Sequence, residues 1–255
     1  NGIATWRLVQ AAERAGVVYE YEFSLLPDLK VTGRYLERPS PIPQVVWEIN
    51  IANRGRRSVE IGELALPMAL NNFYEGFGRS DAEVKRMYAD RVHVHRFLGG
   101  AASYLYAQRL EPQSPGLLIF PGANTAWEFY TYVPASTTTG YRWEGIPIIY
   151  IHSRAAIERE GWPEWVNGHT SIVLEPGDAR TYETRFATTD GVAPEEPLLT
   201  LAECGRPAMR LLPGAVAPAE VGIAVEVGGC APKLFTTDVE AVLETDADEE
   251  GGFCF

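Results

Sequence analysis

The chain has 255 residues, 46% of them hydrophobic and 11% aromatic, enough to bury a full core and to place it among globular rather than disordered or fibrous sequences. A formal net charge of -12 argues against a nucleic acid or an anionic membrane as partner, because both require a basic patch. No run of 18 apolar residues occurs, so no helical segment is expected to span a bilayer.

Eleven stretches alternate with period two and carry β-branched or aromatic residues: 17–26, 29–37, 44–55, 58–70, 91–99, 102–110, 116–122, 127–133, 146–152, 170–177 and 180–191. Turn residues separate them, which predicts an all-β antiparallel sandwich rather than βαβ units. Helix is expected only at 80–90, where Ser80 and Glu83 have capping-box spacing, and at 153–160 with Ser153 as N-cap. Near 191 the texture changes: GVAPEEP (191–197) is Pro-rich, and 206–229 is richer in Ala, Gly and Pro. We therefore expect a large domain over 1–195 and a small β module over 196–255, with strands near Ala217–Val227 and Lys233–Leu243. Cys204, Cys230 and Cys254 all lie in this last quarter; a Cys204–Cys230 pair and buried thiols are both open. Seven acidic residues and no basic one fall between Asp238 and Glu250, without the spacing of an EF-hand loop, and read as a solvated face. The start at Asn1, without an export signal, and the abrupt end GGFCF suggest a trimmed product or a piece of a longer chain continuing past Phe255.

The stretch WEINIANRGRRSVEIGELALPMALNN (47–72) runs from a strand through an Asn-x-Gly turn into Val-Glu-Ile-Gly-x-Leu-x-Leu-Pro. It resembles the β-supersandwich that precedes an (α/α)6 barrel in many carbohydrate-active enzymes. The pair HRFLGGAASYLYAQR (95–109) and WPEWVNGHTSIVLEPGDARTYETRF (162–186) is similar to a family of large microbial proteins of six-hairpin glycosidase architecture. The resemblance covers most of 17–190 and implies a galactose-mutarotase-like supersandwich followed by an Ig-like linker module, which would begin at PGAVAP (213–218). It implies a non-catalytic, sugar-shaping role beside a helical barrel that carries the catalytic carboxylates, an extracellular or cell-surface location, and a carbohydrate or the rest of the parent chain as partner. The barrel is absent from these 255 residues.

Within the residues themselves, His93 and His95 stand two apart on one strand face. With a carboxylate such as Glu128, Glu164 or Glu183 they would supply the acid and base of an aldose mutarotase or epimerase; the alternative is two polar side chains on a wet face. A metal would need a third ligand, and none stands nearby with metal-like spacing. No nucleophile elbow, phosphate loop, HExxH helix or CxxC pair is present, and no cofactor is expected. The aromatics Trp127, Tyr130, Tyr132, Tyr141, Trp143, Trp162 and Trp165 fall near loops or strand ends, beside Glu128, Glu144, Glu164, Asn167 and His169. Flat rings stack on the CH face of a pyranose while sparse polar groups bind its hydroxyls, although Trp127 and Trp143 also suit a core. The loop residues Trp162, Glu164, Trp165, Asn167 and His169 are the expected sugar-binding set. A structural sandwich of a glycoside-hydrolase-like parent, a stand-alone mutarotase, and a carbohydrate-binding or cell-surface module all remain open; paired carboxylates do not decide among them without a distance.

Overall fold

The computed structural model describes residues 4–10, 16–72, 80–109, 115–133, 146–165, 167–190, 193, 196–206, 208–212, 224–228, 246–247 and 252–254. The chain forms two compact units, 1–39 with 43–192, and 40–42 with 193–255.

The first unit is built on an eight-stranded sheet. Hairpins join β1 (Ala4–Gln10), β2 (Gly16–Phe23), β3 (Leu29–Arg38) and β4 (Gln44–Asn53) in order. Next to β4 lies β13 (Ala179–Thr188), then β9 (Leu117–Pro121), β8 (Tyr104–Arg109) and, at the edge, β7 (Val92–Phe97). Every pairing is antiparallel, which lets each strand turn one alternating face inward. A three-stranded sheet of β10 (Phe129–Val133), β11 (Ile146–His152) and β6 (Leu64–Pro67) and a two-stranded one of β12 (Ile172–Leu174) and β5 (Val59–Ile61) complete the unit. Leu29, Ile49, Ile51, Leu105, Ile119 and Tyr182 from the large sheet share one core with Leu66, Ile149, Ile151 and Leu174 from the small ones. The unit is therefore an all-β antiparallel sandwich, as the alternation predicts.

The Asn-x-Gly turn acquires a physical meaning here. Asn53 is fully buried; its Nδ2 donates to the carbonyls of Arg57 (2.8 Å) and Leu174 (2.9 Å), and its Oδ1 accepts from Gly55 N (2.9 Å). One side chain thus closes its own turn and ties the end of β4 to β12. The turn after β12 places Pro176 and then Gly177 (φ 90°) at its centre, closed by Asp178 N to Glu175 O at 2.9 Å, in the manner of a type II turn.

Three local expectations differ from the structure. The stretch 58–70 divides into β5 and β6, which join different sheets, and between them helix α2 (Arg154–Glu160) packs directly on Gly62, whose carbonyl accepts from Ala155 N (2.8 Å) and where a Cβ would meet the Ala155 Cβ at 2.8 Å. Ser80 makes the predicted capping box on α1 (Asp81–Asp90), but Ser153 precedes α2 without a side-chain cap, its hydroxyl being committed elsewhere. β1 lies outside the expected strands, although Ala4, Trp6 and Leu8 alternate with Thr5 and Arg7.

The second unit contains a helix α3 (Glu196–Glu203), also unexpected, in which Pro197 occupies the first turn, where a missing N–H breaks no helical bond. Its sheet has the order β14 (Ala208–Leu212), β15 (Ala224–Gly228), β17 (Gly252–Cys254), β16 (Asp246–Ala247). Cys230, Lys233–Leu243, PGAVAP and all of the acidic run except Asp246 lie outside the described residues.

Candidate functional site

The end of β11, the start of α2 and the loop 161–170 converge on one buried carboxylate. Glu128 directly precedes β10, held by its backbone N–H donating to Tyr150 O (2.8 Å) and by the fully buried Trp127 before it. Its Oε2 accepts from Ser153 N (3.1 Å), Ser153 Oγ (2.8 Å) and Thr170 N (3.0 Å), and its Oε1 accepts from Thr170 Oγ1. A buried carboxylate is stable only when so completely solvated by donors.

Each hydroxyl carries an imidazole behind it. Thr170 uses its own proton on Glu128, so at 2.7 Å it accepts from His152 Nδ1–H; His152 Nε2 then accepts from the Tyr182 hydroxyl, also at 2.7 Å. Ser153 likewise donates to Glu128 and accepts from His169 Nδ1–H (2.7 Å), while His169 Nε2 accepts from Trp165 N–H (2.9 Å). Two relays, Tyr182–His152–Thr170 and Trp165–His169–Ser153, therefore end on the same carboxylate, and each fixes a neutral tautomer. Burial pushes the His152 imidazole below its ordinary value, opposed by the Glu128 charge 3.9 Å away, and burial raises the Tyr182 phenol, keeping it a donor.

The outer side of this loop is aromatic. Gly161 (φ 64°) ends α2 in the left-handed conformation and starts the loop; Gly168 (φ 73°) reverses it. Asn167 donates to Leu98 O (3.2 Å) and Glu128 O (3.4 Å), pinning the loop to the turn after β7. Phe129 is the platform, with Trp162, Trp165 and His169 rings at 5.4, 5.9 and 5.6 Å. Beside them a cleft of about 540 Å³ opens where β7, the last strand of the large sheet, meets β10, the last strand of the three-stranded one. β7 and its turn contribute Arg96 and Leu98, β10 contributes Tyr130, Thr131 and Tyr132, and the loop contributes Trp162 and Trp165. Tyr132 (39% exposed) and Trp165 (45%) present their rings to solvent.

The residues singled out in the sequence divide accordingly. Trp162 and Trp165 line the cleft, Glu164 is exposed between them in sequence, and Asn167 and His169 hold the loop from beneath. His93 and His95 pair across β7 and β8 with Gln108 and Tyr106, and the His95 ring stacks on Tyr106 at 6.4 Å. Neither bonds Glu128, whose oxygens are taken by Ser153 and Thr170, so the His/Glu128 acid–base pair is not formed. Glu183 instead binds Arg185 at 2.9 Å. Trp127 is core at 0% exposure; Tyr141, Trp143 and Glu144 lie outside the described residues. Among the described residues no cluster of three or more His, Cys, Asp or Glu could hold a metal, and no helix is long and apolar enough to cross a membrane. Sequence reasoning missed His152, Thr170, Tyr182 and Arg96. For Arg96 a signal existed: alternation in VHVHRFL sets it with Val94 and Leu98, a cation on an apolar face.

Among solved structures the chain is similar to a polysaccharide lyase, at 18% identity and TM-score 0.55, over 89% of this chain and 31% of the lyase. A second similarity, to a heparinase III gene product, has 10% identity and TM-score 0.38 over 89% of this chain and 26% of that one. The chain thus spans about a third or less of the length of either. No curated protein matches it. A family model matches residues 17–240, and the chain belongs to that family, DUF5695, a family of unknown function.

Proposed function

We propose that the chain is a non-catalytic, carbohydrate-contacting β-sandwich of a carbohydrate-active protein, and that the cleft between β7 and β10 holds a sugar ring. The observation that carries this reading is the pair of exposed rings, Tyr132 and Trp165, standing with Trp162 around a cleft of about 540 Å³. Among the described residues the cleft has flat aromatic walls and few polar groups, which matches the way proteins take up pyranoses. In this reading Trp162 and Trp165 touch the sugar, Glu164 reaches a hydroxyl from the loop surface, and Asn167 and His169 keep the loop in position. The fold likeness to a polysaccharide lyase is compatible with it.

The finer reading keeps the galactose-mutarotase-like supersandwich, a linker module over 196–255, and an extracellular parent of six-hairpin type whose (α/α)6 barrel supplies the catalytic carboxylates. In this reading Glu128, whose oxygens accept from Ser153 and Thr170, serves the fold; the alternative, an aldose mutarotase or epimerase, would need another carboxylate such as Glu164 opposite His93 or His95. Calorimetric titration with a panel of neutral and acidic oligosaccharides tests the proposal. Saturable binding without glycan breakdown is expected, and Trp165→Ala should weaken it by about 2 kcal/mol, the cost of losing a central aromatic contact. Absence of binding across the panel overturns the sugar-contacting role; turnover by this chain overturns the non-catalytic one.

A further inference from the structure

We propose that His169 is a proton-operated latch on this cleft: neutral, it holds Trp165 in place for the sugar, and on gaining a proton it lets go. The inference rests on the cleft being a sugar site and adds how that site is regulated.

The hydrogen bonds of His169 fit one protonation state. A backbone N–H only donates, so Nε2, 2.9 Å from Trp165 N, carries the lone pair, and the ring proton sits on Nδ1, which donates to Ser153 Oγ at 2.7 Å. A second proton enters at Nε2 and sets N–H against N–H. The bond to Trp165 is then lost, whereas Nδ1–H keeps Ser153 and, through it, Glu128. His152 differs on this point, because its Nε2 accepts from the Tyr182 hydroxyl, which can turn and present its oxygen instead. The amide of Trp165 has no such freedom.

The latch holds the ring-bearing middle of the loop. Trp162 N donates to Ile157 O (3.3 Å) and Asn167 Nδ2 to Leu98 O and Glu128 O, so both ends are pinned without His169. Trp165 keeps the bond that its carbonyl accepts from Gly168 N (2.9 Å), but its own N–H passes to water and the peptide joining it to Glu164 is free to turn. The ring is 45% exposed and meets Phe129 edge-on at 5.9 Å, so little packing keeps it on the wall of the cleft.

The groups that face His169 do not prevent the proton from entering. Glu128, beyond Ser153, and Glu164, exposed beside Trp165, both stabilise an imidazolium. A charged His152, 3.9 Å from the same Glu128, would oppose it, while the Phe129 ring at 5.6 Å and the Tyr182 phenol carry no charge. Imidazole ordinarily gains its proton between about pH 8 and pH 5. A proton that favours the released loop and a sugar that favours the latched one weaken each other by the same factor.

The test begins with the ligand-free 255-residue protein labelled with 5-fluorotryptophan, the Trp165 resonance being assigned by its loss in Trp165→Phe. That resonance should move between about pH 7.5 and about pH 5, and should move equally in His152→Gln. In His169→Gln, whose amide oxygen accepts from an N–H at any pH, it should stay fixed. A resonance that does not move in the unaltered protein, or moves as much in His169→Gln, overturns the latch and leaves the sugar site standing. Calorimetric titration with neutral probes, cellohexaose, xylohexaose and mannohexaose, then reads its effect on binding. Affinity should be about tenfold weaker at the lower pH, and binding near pH 6 should release protons, seen as a heat that depends on the buffer's ionisation enthalpy. Equal affinity at both pH values, or binding without proton release, overturns the regulation. Failure of all three probes at about pH 7.5 counts against the sugar site, and the fluorine resonance then judges the latch by itself. Proton release needs no variant, so it decides the matter even where His169→Gln disturbs folding.

Discussion

The loop 161–170 has two sides of opposite character. On one, His169 and Thr170 turn toward Glu128, and Asn167 bonds the carbonyls of Leu98 and Glu128. On the other, Trp162 and Trp165 line an open cleft. Both sides offer groups that suit a sugar, yet only the aromatic side presents them. A polar side chain beside a buried carboxylate is drawn into satisfying it, because an unpaired buried donor or acceptor costs about 1–3 kcal/mol. Exposed rings face no such demand. Chemical suitability and availability are thus separate questions, and the polar half of the loop exists so that the aromatic half can stand still.

The comparison breaks most completely at Glu128. Removing its carboxylate in Glu128→Ala strands Ser153 N, Thr170 N and two hydroxyls in a buried site. The expected loss is about 3–5 kcal/mol of unfolding free energy, read from denaturant titration. Glycan affinity should fall as well, because both relays hold the loop. Cutting one relay is milder: Ser153→Ala or Thr170→Val should each cost about 1–2 kcal/mol, and the double variant should differ from the sum because both hydroxyls meet one carboxylate. Strict additivity would show that the two relays are independent.

Why the hub was invisible in the sequence follows from its geometry. Strand alternation in β4 and β13, the capping box at Ser80 and the turn residues around Asn53 and Gly177 act within a few positions, so local pattern exposes them. The hub joins residue 128 to 153 and 170, and residue 152 to 182, across four elements, and no spacing encodes such convergence. Ser153 illustrates the competition: it stands where an N-cap is expected, but the carboxylate claims its hydroxyl. The need for glycine at position 62 has a similar origin, since it is the approach of Ala155, distant in sequence, that leaves no room for a side chain there. The aromatic cleft was largely legible, because Trp162 and Trp165 flank Pro163 in an evident loop and Tyr130 and Tyr132 stand out as strand-end aromatics, whereas Arg96 joins them only where two sheet edges come together.

The inner side of the loop should also respond to pH. Burial holds His152 below its ordinary value of 6.5, so the unfolded chain binds more protons than the folded one between the two values. Its contribution to stability is complete above about pH 6.5 and is lost as pH falls through the folded value. Protonation would turn Nε2 into a donor facing the Tyr182 hydroxyl, which must then rotate. Melting temperatures measured from about pH 7.5 down to about pH 5 should fall, and His152→Gln, less stable at the upper end, should show a flatter slope. Equal slopes in both proteins would place the pH sensitivity elsewhere.

The smallest effect on stability is expected where the effect on binding is largest. Trp165 is 45% exposed and meets the fold through the edge of Phe129 and through a backbone N–H that any residue retains. Trp165→Ala should therefore change unfolding free energy by only about 0.5 kcal/mol, within the range of surface substitutions, because Trp165 N–H still donates to His169. A loss of several kcal/mol would mean that the ring is structural packing, and the two sides of the loop would no longer differ in kind. A small loss accompanied by lost glycan binding would fix the division of labour: polar contacts beneath set the loop's position, and the exposed ring meets the ligand.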